Sequence, residues 1–150
     1  MRASPLTRLV GTWEFEASSE GQFLGRGPAT FEWIEGGAFM LERADDEPSP
    51  DTAEAWASHS PMPVTAVLGF DDSNSEMAML YADARGVFRI YRMAFTDEAW
   101  TVWRDAPGFH QRFVGRFGEG DRVIEGRWES SEDGTEWIPD FDLVYRMRAG

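Results

Sequence analysis

The sequence predicts an all-β protein, a single antiparallel up-and-down β-barrel of about ten strands. Three observations carry this. Apolar and polar residues alternate with a period of two, first over residues 9–16, where Leu9, Gly11, Trp13 and Phe15 share one face and Thr12, Glu14 and Glu16 the other. Turn-forming residues recur at short, near-even intervals from residue 71 onward. Aromatic content is high, with 7 Trp, 11 Phe and 3 Tyr, and flat bulky side chains suit a pleated surface. The length of 150 residues suits one domain over 1–150 with a real core.

The elements follow in order. Residues 9–16 form the first strand. Residues 17–28 read as a Gly-rich connection whose Gly21, Gly25 and Gly27 are spaced for turns. No Gly-Lys-Ser/Thr follows them, which argues against a phosphate loop. A second strand is expected at 29–35, with Phe31 and Trp33 on one face, then a tight hairpin at Gly36-Gly37. The third, 38–44, is read with Phe39, Leu41 and Arg43 on one face against Met40 and Glu42.

Residues 45–62 break the rhythm. Helix formers at 51–58 predict one short helix, with Ser49 placed to cap it and Pro50 at its first position. This segment is either a lid, with Trp56 folded over an opening, or a disordered acidic loop. Further strands are expected near 64–70, 76–83, 87–95, 99–104, 109–117, 122–129 and 136–148. Turns such as Arg85-Gly86, Ala106-Pro107-Gly108 and Asp133-Gly134 separate them. A flat sheet of this many strands would leave long open edges, and closure removes them. A sandwich is the alternative.

Charge and composition exclude several functions. The net charge of −13 disfavours nucleic acid and anionic membrane as partners, since both reward clustered basic residues. All 14 basic residues are Arg, a bias consistent with a GC-rich genome. With 0 Cys there is neither a disulfide framework nor a thiolate metal site. Residues 1–8 lack an apolar signal region, and no stretch approaches a membrane-spanning length. The expected location is therefore the cytoplasm.

The strand beginning Gly11-Thr12-Trp13, followed by antiparallel hairpins, resembles the calycins: lipocalins, fatty-acid-binding proteins and bacterial relatives. The lipocalin resemblance implies that Trp13 closes the barrel floor against an Arg of the last strand, Arg146 or Arg148. A longer set is similar to a bacterial, actinobacterial-type lipocalin-like family with a domain of unknown function. It comprises Gly36-Gly37-Ala38-Phe39, Asp83-Ala84-Arg85-Gly86-Val87, Arg104-Asp105-Ala106-Pro107, Gln111-Arg112-Phe113, Gly126-Arg127-Trp128 and the stretch 131–143. That similarity implies the barrel and no particular activity. Fatty-acid-binding proteins carry a helical lid between their first two strands and an Arg-x-Tyr near the chain end. Here the helical loop follows strand three and Arg89-Ile90-Tyr91 lies in mid-chain, so their site residues are not transferred.

With the apolar face of each strand inward, Arg43, Tyr81, Asp83, Arg89, Tyr91, Arg104 and Gln111 point inward too, near Met79 and Met93. Trp33, Trp128 and Tyr145 line the same space. A buried Arg without a partner costs several kcal/mol, so each needs an internal carboxylate or an anionic ligand. Asp83 is the internal candidate for Arg89, and Asp105 for Arg104. These groups are either structural ion pairs near the barrel ends or a ligand-contacting Arg–Tyr cluster. The expected ligand-binding set is Arg89, Tyr91, Tyr81, Arg43, Arg104, Gln111, Trp33, Trp128 and Met79. It would take a small, mostly apolar molecule with one acidic or carbonyl end.

No cofactor or metal is expected. His110 is a lone histidine, His59 lies in the loop, and the late His that the haem-binding nitrobindins use is missing. Asp45-Asp46 and Asp71-Asp72 read as solvated turn residues without EF-hand spacing. There is no Cys and no Gly-x-Ser-x-Gly elbow, and no catalytic residue is assigned. Three functional readings follow: a ligand-binding barrel, a small acid–base enzyme of isomerase or cyclase type using Asp83, Tyr91 or His110, and a homodimeric interaction module with a filled core.

Overall fold

The alternating pattern folds into strands that close on themselves. The computed structural model describes residues 4–148; both ends of the expected 1–150 unit lie outside the described residues. A 3-10 segment, Pro5–Leu9, precedes β1 (Gly11–Ser19) and β2 (Gln22–Ile34). A 3-10 turn at Glu35–Gly37 leads to β3 (Phe39–Ala44), and α1 (Glu54–His59) follows. The remaining strands are β4 (Val64–Phe70), β5 (Met77–Asp83), β6 (Phe88–Phe95), β7 (Ala99–Arg104), β8 (His110–Gly118), β9 (Val123–Ser131) and β10 (Ile138–Met147). Each strand pairs antiparallel with the next, and β1 closes the barrel on β10. No helix among the described residues is long and apolar enough to cross a membrane.

The expected Gly-rich connection over 17–28 is instead mostly strand. Only Gly21 turns the chain, at φ 79°, while Gly25 and Gly27 lie within β2. Their role is close approach. A methyl at Gly25 would overlap the Trp56 indole, and one at Gly27 would overlap the Asp45 carbonyl oxygen. These glycines thus mark where the 45–62 segment lies against β2.

The face assigned to β3 is also inverted. Met40, Glu42 and Ala44 are buried, whereas Phe39 and Arg43 are exposed. Directly paired residues of an antiparallel ladder point to the same face. Trp33 pairs with Met40, Phe31 with Glu42 and Ala29 with Ala44. An inward Phe31 therefore carries Glu42 inward and sends Arg43 out, opposite Thr30 and Thr65.

The end of the barrel beside Pro5–Leu9 is filled. Leu6, Leu9, Trp13 and Phe31 are buried there, and Trp13 donates its indole N–H to the Leu9 carbonyl at 2.8 Å. Neither Arg146 nor Arg148 packs on Trp13. Residues of β10 alternate, so Tyr145 points inward, edge-on to Trp13 at 6.5 Å, while Arg146 lies outside. Both arginines reach outer-face carboxylates, Arg146 to Glu16 and Arg148 to Glu14. The arginine that does tie this end is Arg8. Its guanidinium lies 3.6 Å from the Phe117 ring centre, binds Asp121 at 3.0 Å and donates to the carbonyls of Thr96 and Asp97 at 2.8 Å.

Candidate functional site

Opposite this filled end the barrel stays open inside. A cavity of about 440 Å³ runs from the aromatic core at Trp100, Phe113 and Tyr145 to a mouth bordered by Trp56, His59, Arg85, Phe109 and Asp140.

The 45–62 segment forms the cover at that mouth. Backbone bonds tie it along β2: Asp45 N–H to the Pro28 carbonyl at 3.1 Å, Glu47 N–H to Arg26 at 2.9 Å and Ala53 N–H to Leu24 at 2.8 Å. The Asp46 carboxylate accepts the Trp56 indole N–H at 2.8 Å and the Ser60 hydroxyl at 2.6 Å. Trp56 is thereby held against Phe15 and Phe141. The helix begins later than the sequence suggests, with Ala53 at its N-cap and no side-chain cap. Ser49 bonds Asp51 instead.

Of the expected binding residues, Arg89, Tyr91, Tyr81, Gln111, Trp128 and Met79 border the cavity. Three do not. Arg43 faces solvent for the register reason above. Trp33 takes the inward phase but packs with Met40 nearer the filled end. Arg104 is opposite Gln111 at the end of β7, outside the lining.

The polar groups at the mouth form two linked sets. Tyr81 donates to Asp83 at 2.7 Å, and Arg85 binds the same carboxylate at 2.7 Å. The expected Arg89–Asp83 pair is thus replaced by Arg85–Asp83, because the tight 84–87 turn folds Arg85 back onto Asp83. Burial alone would raise the Asp83 pKa, but the bonds from Arg85 and Tyr81 hold it below the usual carboxylate range. Burial, and then Asp83, raise the Tyr81 phenol. In the second set, Tyr91 donates to Gln111 at 3.0 Å, and Arg89 lies over the Phe109 ring at 5.3 Å. Burial raises the Tyr91 pKa, with Arg89 opposing it.

Two acidic lining residues were not anticipated. Asp140 reaches the mouth through a bulge: Pro139 pairs with Glu129 and Phe141 with Trp128, leaving Asp140 as the extra residue. Burial raises its pKa, and Arg85 and Arg89 offset part of this. A Pro inside a strand pattern is the sequence signal for such a bulge. Glu42 is the second. It is 6% exposed, and burial pushes its carboxyl up to about 7. Burial raises the neighbouring Tyr145 phenol as well, with Glu42 adding to it. Of the two histidines, His59 borders the mouth and His110 does not. Among the described residues no group of three or more His, Asp or Glu side chains is placed to hold a metal ion. No family model matches this chain, and no curated protein sequence matches it.

Proposed function

We propose that the protein binds a small hydrophobic or amphipathic molecule, with an acidic or carbonyl end group, inside its barrel. The observation that supports this is the cavity of about 440 Å³. Its volume lies within the roughly 300–1,000 Å³ of small-molecule sites, which pair apolar walls with a few convergent polar groups. Trp100, Trp128, Phe113, Leu143 and Met79 supply the apolar contact, and Arg89, Tyr91 and Gln111 supply the polar end. Arg85 is engaged by Asp83, so Arg89 is the cation that meets an acidic end group. An open interior also argues against the module with a filled core.

The test is binding of a fluorescent fatty acid. Arg89→Ala is expected to weaken it about tenfold or more, the loss of one charge-assisted hydrogen bond, and Tyr91→Phe by a smaller factor. Unchanged affinity in both variants contradicts the reading.

A further inference from the structure

We infer that the inner part of this cavity is a site for a protonated amine, with Glu42 as its counter-charge and aromatic rings as its walls. The inference rests on the cavity being a ligand site and adds a second polar end to the ligand.

Three polar or charged residues are buried among the described residues: Glu42, Gln111 and Ser131. Two have protein partners. Gln111 accepts from Tyr91, and Ser131 donates to Asp133 and accepts from the Gly134 N–H. Glu42 alone has no side-chain hydrogen bond or ion pair with another described residue, and it borders the cavity. A carboxyl group in this position is costly unless something fills its acceptor sites.

The ladder fixes where that something would sit. One row of paired residues runs Gly11–Phe31–Glu42–Ala66–Tyr81–Arg89 across six strands. It climbs from the filled end at Gly11 to the mouth at Arg89. Ala66 separates Glu42 from Tyr81 and takes little room. Glu42 and Arg89 are three strand spacings apart, about 14 Å along the curved wall. One elongated molecule can therefore meet the carboxyl with its inner end and the guanidinium with its outer end.

Cation chemistry fits this end better than a neutral carbonyl. Phe31 is the direct cross-strand neighbour of Glu42, and its ring lies 6.2 Å from Tyr145 and 6.1 Å from Trp100. Aromatic faces beside a carboxylate attract ammonium groups. The net charge of −13 favours the approach of cations. With the Glu42 carboxyl pushed up to about 7, part of the population is protonated at neutral pH. An ammonium ion displaces that proton, whereas a carbonyl retains it.

The experiment is calorimetric titration of the whole chain with decylamine, decanoic acid and methyl octyl ketone at neutral pH, in two buffers of different ionisation enthalpy. Decylamine is expected to bind with proton release, and Glu42→Gln to weaken it about tenfold or more. Decanoic acid should still bind Glu42→Gln, at least as tightly as the wild type, which also shows that the variant is folded. Arg89→Ala should give the opposite pattern. Unchanged decylamine affinity in Glu42→Gln overturns the amine site, even where Arg89→Ala still weakens decanoic acid and so supports the ligand-binding reading. Tighter binding of the ketone than of the amine, with proton uptake, also overturns it by making Glu42 a neutral donor. Failure of all three probes to bind the wild type removes both readings.

Discussion

Trp13→Ala is expected to destabilise the barrel by about 3–5 kcal/mol, the range for emptying a buried aromatic site. Trp13 is 0% exposed, so the whole indole volume would become cavity at the filled end. The variant also leaves the Leu9 carbonyl without its 2.8 Å donor and removes the edge contact with Tyr145. Thermal unfolding should move down by roughly 10 °C for a chain of this size. An unchanged midpoint would place Trp13 outside the core. The glycine two residues earlier has its own cause. Gly11 has φ 141°, a conformation that side chains rarely adopt. The Gly-x-Trp start is therefore a backbone requirement followed by a plug, and it specifies closure rather than ligand.

The second large effect is electrostatic. Without ligand, Glu42→Gln is expected to stabilise the barrel above pH 7 by roughly 3 kcal/mol and to leave it nearly unchanged near pH 4. The folded-state pKa is raised from 4.5 to about 7, so the protonated form is the one the fold favours. Below pH 4.5 folded and unfolded chains are both protonated and no stability is lost. As pH rises towards 7 the unfolded chain ionises first, and wild-type stability falls. Above 7 both are ionised and the loss is complete. Denaturant unfolding of both proteins between pH 4 and 9 measures this directly, because other titrations cancel in the difference. A difference independent of pH would show that Glu42 is not held in an apolar interior.

The barrel was legible because its signals are local and repeated. The β4 and β7 bounds coincide with those read from alternation, and the turns at Arg85-Gly86, Ala106-Pro107-Gly108 and Asp133-Gly134 fall between strands. The site was legible only in part, for reasons of register. Phe39-Met40-Leu41 is apolar on both faces, so alternation alone cannot choose a phase for β3. The hairpin at Gly36-Gly37 does choose it: pairing Trp33 with Met40 forces Glu42 inward. Reading each strand alone put Arg43 in the cavity and left Glu42 out. Asp140 was hidden by a bulge that breaks the period of two. Gly25 and Gly27 read as turns because the groups they make room for, the Trp56 indole and the Asp45 carbonyl, lie far along the chain. In place of a β10 Arg on Trp13, that end is tied by Arg8 through Asp121 and Phe117, long-range contacts without local pattern.

The central claim is that the barrel interior is a ligand site, and the tryptophans report on it separately. Trp56, Trp100 and Trp128 border the cavity. Trp103 and Trp137 belong to the outer surface with Arg112, which pairs with Glu129 and stacks on Trp137. Titrating nitrogen-labelled protein with decanoic acid and following the indole N–H resonances tests the claim most directly. Saturable shifts of the Trp56, Trp100 and Trp128 signals are expected at one ligand per chain, with Trp103 and Trp137 unmoved. Shifts confined to Trp103 and Trp137, or no shift at saturating ligand, would contradict it.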